Sequence, residues 1–173
     1  MGNIIRDTGG ELIEKSTWTG SNASDVDFSF PDSGEFSHFD CYYEIFGTGL
    51  GNQFYTQVKN AAGTRLNMEF AYYYWNNSGT AGFTATGSST WQALGQSYDM
   101  VSETWVHARI QAGTHNRPGI IIDANSTRSG VGAQRLSGSM HHGGTVAYKS
   151  LGFNVDGTGA ITRVNYRCIG YRQ

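Results

Sequence analysis

Only two cysteines, Cys41 and Cys168, occur among the 173 residues. Two thiols make neither a disulfide scaffold nor a four-ligand zinc site. Each sits among apolar and aromatic residues in a strand-like segment, where a buried free thiol is the expected outcome. A bond between them would need the first long strand and the last one to be neighbours. Proline is equally scarce, with 2 residues against 24 glycines. That balance suits short strands and tight turns, because glycine enters left-handed backbone regions without strain. Charged residues make up only 15% and the net charge is −2, which excludes the basic footprint of a general nucleic-acid binder. No apolar run approaches the roughly 20 residues of a membrane-spanning helix. Met1-Gly2-Asn3-Ile4-Ile5-Arg6 lacks an apolar core of signal-peptide length, so Sec export is not expected. The glycosylation triplets at Asn22, Asn76 and Asn125 then read as chance in an Asn/Ser/Thr-rich chain.

What is present is alternation. Hydrophobic residues reach 38%, enough for a globular core, and the length fits one domain. Asp25-Val26-Asp27-Phe28-Ser29-Phe30 and Ile161-Thr162-Arg163-Val164-Asn165-Tyr166-Arg167-Cys168-Ile169-Gly170 both carry the period of a half-buried strand. Further strands are expected at Glu11–Glu14, Ser37–Phe46, Phe54–Val58, Leu66–Tyr74, Tyr98–Val101, Trp105–Ile110, Val146–Tyr148 and Phe153–Val155, and Asn76–Thr90 is expected to be loop-like with at most a short strand around Phe83. Ile120-Ile121-Ile122 is apolar at every position, the pattern of a strand buried on both faces. Gly20–Ala23, Asn60–Gly63, Ser126–Gly132, His141–Gly144 and Asp156–Gly159 read as turns, the last as a plain hairpin turn. The chain is therefore expected to be all-β: residues 1–9 as a polar arm, and 10–173 as one β-sandwich or jelly-roll-like domain of about nine to eleven strands. No internal repeat points to a propeller or solenoid.

Catalytic patterns are thin. There is no G-x-S-x-G elbow. Asp25, Asp27, Asp40, Glu44 and Glu69 supply carboxylates for a glycosidase-like pair, but Asp25 and Asp27 share the face opposite Val26 and Phe28 and are expected in solvent. His38, His107, His115, His141 and His142 invite a metal reading. Neighbours such as His141 and His142 point to opposite sides of an extended strand, so they would need a turn and a third ligand such as Asp123 or Asp156. A solvated loop is the simpler reading, and no calcium loop of EF-hand spacing occurs. No catalytic residue, metal or cofactor is assigned.

Binding chemistry is better represented. Arginine outnumbers lysine nine to three, which favours docking, since the guanidinium fork pairs two ways with a carboxylate. Arg163, Asn165 and Arg167 share the outer phase of the last strand, a face suited to an acidic partner. Tyr42, Tyr73 and Trp75 fall outside the core-facing set, and Trp75 lies beside Asn76 and Asn77. Such aromatics and amides stack on and hydrogen-bond sugars, or form the hot spots of a protein interface.

The order of features resembles the β-sandwich domain of tailed-bacteriophage virion proteins, found at the C-termini of tail fibres and free-standing in head decoration proteins. The matching segments are Leu12-Ile13-Glu14, Ala23-Ser24-Asp25-Val26-Asp27-Phe28, Phe39-Asp40-Cys41-Tyr42-Tyr43-Glu44-Ile45, Glu69 to Trp75, Ile161-Thr162-Arg163-Val164 and the closing Ile169-Gly170-Tyr171. The resemblance implies a structural or adhesive role and carries no catalytic residues. With only about ten residues ahead of the first strand, a copy without a stalk is expected to bind a scaffold directly. The leading expectation is a non-enzymatic capsid decoration or cement protein, assembled in the host cytoplasm and resident in the virion. It would bind the major capsid protein or another virion protein, as a homo-oligomer, through Arg6, Arg163 and Arg167. The alternative is a tail-associated adhesion module that binds host glycans through Trp75 and Trp91. Nucleic acid and membrane are not expected partners.

Overall fold

A computed structural model describes residues 10–30, 35–48, 54–76, 83–89, 92–93, 103–128, 132–155 and 159–172. These residues form strands and no helix. In chain order the strands are β1 (Glu11–Ala23), β2 (Asp25–Ser29), β3 (Phe36–Thr48), β4 (Phe54–Asn60), β5 (Met68–Asn76), β6 (Phe83–Ser89) and β7 (Gln92–Ala93). They continue with β8 (Glu103–Gln111), β9 (Thr114–Asn116), β10 (Gly119–Arg128), β11 (Gly132–His142), β12 (Thr145–Val155) and β13 (Ala160–Arg172). Eleven of the thirteen have five residues or more, while β7 and β9 have two and three. The all-β, sandwich-like class read from the alternation is the class observed.

Two antiparallel sheets divide the strands. One has eight in the order β1-β13-β3-β8-β10-β11-β5-β6; the other has β2-β12-β4-β7, with β9 also paired to β12. Period two decides what each strand buries. On β13, Val164, Tyr166 and Cys168 are buried and Arg163 and Arg167 are exposed. On β2, Val26 and Phe28 turn inward, between Asp25, Asp27 and Ser29. The inward residues of the two sheets meet in an aromatic core. Phe28 of the smaller sheet contacts Tyr43 and Tyr166 of the larger at 5.5 and 5.1 Å between ring centroids. Phe153 meets Tyr43 edge-on at 4.8 Å and lies parallel to Phe54 at 5.6 Å. Offset and edge-to-face geometries of this kind favour the quadrupoles of aromatic pairs beyond simple burial.

The turn at Asn60 forms as its residues require. Gly63 takes φ +76° and donates its backbone N–H to the Asn60 carbonyl, and the Asn60 amide oxygen accepts from Ala62 and Thr64. Other expectations need correction. Gly20–Ala23 is not a turn: it continues β1, with a register irregularity between Thr19 and Ala23. Ile121 is 54% exposed, so the triple-isoleucine strand is buried on one face only. Its two neighbours, β8 and β11, lie beside it in the sheet and leave the outer face at Ile121 half exposed. β10 runs on through Ser126 to Arg128, and the chain reverses between Arg128 and Gly132, which pair in register, so the expected turn at Ser126–Gly132 is confined to its middle. The hairpin turn expected at Asp156–Gly159 lies, but for Gly159, outside the described residues; the strands on either side of it, β12 and β13, belong to different sheets. The strand expected at Tyr98–Val101 lies outside the described residues.

Candidate functional site

Register places the outward residues of the eight-stranded sheet in rows across it. One row runs Thr17, Asn165, Glu44, Trp105, Asn125, Arg135 along β1, β13, β3, β8, β10 and β11. The next runs Lys15, Arg167, Tyr42, His107, Asp123. Over these rows lies a groove of about 580 Å³, lined among others by Lys15, Glu44, Trp105, His107, Asp123 and Arg167. Segments from opposite ends of the chain meet here only because β1 and β13 pair, and β13 in turn pairs β3.

Much of this face is pre-ordered. The Thr17 hydroxyl donates to Asn165 Oδ1 at 3.1 Å, and Asn165 Nδ2 donates to Glu44 Oε2. His107 lies flat on Tyr42 at 4.6 Å, and Arg167 sits over the same ring at 4.6 Å. Below them Asp40 is held by both arms of Arg109, at 2.8 and 3.0 Å, and by His107 at 3.4 Å. Burial pushes the Asp40 carboxyl up, but the Arg109 fork and His107 outweigh it and hold it below the usual carboxylate range. The sign follows from the lowered value. The ionised form is the one the fold stabilises, so its contribution is complete above the unfolded value of about 3.9 and is lost as pH falls through the lower native value. Asp40→Asn is expected to lose about 1–3 kcal/mol at pH 7, the worth of charge-assisted hydrogen bonds. Urea unfolding from pH 7 to 2 should show that deficit shrinking only below about pH 4. A deficit that does not change with pH would refute the assignment.

Arg163 and Arg167 share the exposed phase of β13 as expected, and each is engaged: Arg163 lies 3.8 Å over the Phe46 ring, Arg167 over Tyr42. Arg6 and Trp91 lie outside the described residues. Trp75 belongs to β5, pairs with Arg135 in register, and so continues the first row; its side chain is not among those described. Trp105 is a binding candidate that the sequence reading misses. The signal is there, because Trp105, His107 and Arg109 occupy the phase opposite Val106, Ala108 and Ile110, and a tryptophan in the polar phase of a strand faces water.

The other candidates stay apart from this groove. Asp25 and Asp27 lie on the outer side of the smaller sheet, ion-paired to Arg65 and Lys59 and bridged by the Gln57 amide at 2.7 and 3.3 Å. His141 meets Glu69 at 3.1 Å, and His142 Nδ1 lies 3.1 Å from the Asn67 carbonyl oxygen. His38 stacks on Tyr171 at 4.5 Å. Among the described residues no three histidine, cysteine, aspartate or glutamate side chains converge on a metal-sized site. Cys41 and Cys168 stand opposite each other in register, buried and unbonded, with sulfurs 3.4 Å apart. The neighbouring sulfur and burial hold the Cys41 thiol well above its ordinary value, which keeps it unreactive.

No family model, curated protein or solved structure matches this chain.

Proposed function

We propose that this chain is a non-enzymatic structural protein of a tailed-phage virion, a decoration or cement subunit bound as an oligomer to the outside of the assembled head. What supports this reading is where the resembling segments lie. Of the six resembling segments, Leu12–Glu14, Phe39–Ile45, Ile161–Val164 and Ile169–Tyr171 fall on the three adjacent strands β1, β3 and β13, while Asp25–Phe28 lies on β2 of the smaller sheet and Glu69–Trp75 on β5. The four that share one contiguous half-sheet are what supports a shared fold there. Among the described residues β1 is an edge strand, and Leu12 on it is 55% exposed, so attachment is assigned to residues 1–9 and this edge, where an unpaired strand can add to a partner. A subunit that binds only the assembled lattice stabilises it by mass action, about 2.7 kcal/mol per site at a hundredfold excess over Kd.

Gold-labelled antibody against the chain should decorate intact heads. Deleting residues 1–9 should abolish attachment to particles while thermal melting stays unchanged. Attachment retained by the truncated chain would count heavily against the reading, as would gold confined to tails. The second reading, a tail-associated adhesion module for host glycans, is favoured by one observation: the exposed indole of Trp105 in a groove of hydrogen-bonding side chains.

A further inference from the structure

We infer that the groove beside Trp105 is a saccharide site, which takes an uncharged sugar ring stacked on the indole. The inference deepens the adhesion reading but rests on the groove itself, wherever on a virion the chain sits. Trp105 is 54% exposed, and among the described residues no ring or cation stacks on it. Tyr42, one row away, is already flanked by Arg167 and His107 and offers no such surface. An exposed indole is a rigid apolar plate with a π face, suited to the C–H face of a pyranose.

The groups around it fit hydroxyls. Glu44 and Asn125 stand in register on either side of Trp105, roughly 10 Å apart by twice the strand spacing. A ring lying on the indole would present its oxygens to both. Glu44 accepts, and its carboxylate is already positioned by Asn165 and Thr17, so little ordering entropy is lost on binding. Asn125 offers both a donor and an acceptor and has no hydrogen-bond partner among the described residues. Charge argues the same way. Lys15 and Arg167 balance Glu44 and Asp123, so no net field draws a polyanion such as nucleic acid. A protein laid over this groove would have to desolvate two carboxylates at the centre of its interface, where charged residues are depleted. Sugar hydroxyls would instead hydrogen-bond to them.

The test uses the full chain and methyl glycosides of glucose, galactose, mannose and N-acetylglucosamine, followed by saturation-transfer NMR and calorimetry. At least one should bind, with a Kd of about 1 mM for a ligand this small. Trp105→Ala should weaken it about 30-fold, the cost of truncating a hot-spot aromatic. Trp105→Phe should keep part of the affinity, and both variants should melt like the parent because the side chain is half exposed. The inference is overturned if none of the four glycosides binds, or if Trp105→Ala binds as well as the parent. It is equally overturned if Trp105→Ala detaches the chain from particles while no glycoside binds, since the groove is then a protein interface. Trp105-dependent binding, together with normal adsorption of particles carrying Trp105→Ala, would leave the site standing and end the adhesion reading.

Discussion

Replacing Phe153 with alanine is expected to destabilise the fold by about 3–5 kcal/mol. The ring is fully buried, and it is one of the points where the two sheets meet. β12 runs between β2 and β4, with Phe153 opposite Val26 on one side and Thr56 on the other. Its ring touches Phe54 and Phe28 within its own sheet and Tyr43 across the core. Alanine removes these ring contacts and leaves a cavity that neighbouring rings, themselves packed against one another, cannot close. A domain of this size typically holds about 5–15 kcal/mol in all, so the loss is a large share of the total. At roughly 2–4 °C per kcal/mol the melting temperature should fall by about 6–20 °C. Urea unfolding followed by tryptophan fluorescence should show a lower midpoint with the slope unchanged. A loss under about 1 kcal/mol would mean that Phe153 does not join the sheets.

That core was legible from the sequence, because half-buried strands announce themselves by alternation. Val26 and Phe28, or Phe39, Cys41, Tyr43 and Ile45, can only turn inward together. β11 was not legible. Its core phase holds Leu136, Gly138 and Met140, with serines and a glycine between and around them, so too little apolar contrast remains to mark a strand. The division into two sheets was equally hidden, since periodicity fixes which face a residue takes and not which strand stands beside it. Asp156–Gly159 reads like a hairpin turn for that reason, although it joins different sheets.

The site divides along the same line. Arg163 and Arg167 could be placed on an outer face from β13 alone. The row that sets Trp105 between Glu44 and Asn125 depends on the order β3-β8-β10, which no local pattern records.

Gly138→Ala should be the most damaging of the small substitutions, at about 3 kcal/mol or more, the upper end of overpacking. Gly138 occupies the core-facing phase of β11 between Leu136 and Met140, opposite Tyr72 of β5. A Cβ there would lie 2.4 Å from Tyr72 Cβ, 2.5 Å from the Ala71 carbonyl oxygen and 2.6 Å from Tyr72 Cα. Two of these three are backbone atoms, so no rotamer change relieves the clash and β5 itself has to move away. Gly119 provides the control. It begins β10, and a methyl group added to it would meet nothing within 4 Å, so Gly119→Ala should stay within about 0.5 kcal/mol of the parent. Amide exchange should locate the damage, with β5 and β6 losing protection before β3, β8 and β13, because among the described residues β6 reaches the sheet only through β5. The outer face would be affected unequally, since Tyr73 depends on that pairing while Trp105 is held by β3 and β10. Sugar binding at Trp105 should therefore survive in Gly138→Ala wherever the protein remains folded. Equal melting temperatures for Gly138→Ala and Gly119→Ala would show that β5 does not approach β11 closely enough to require a glycine.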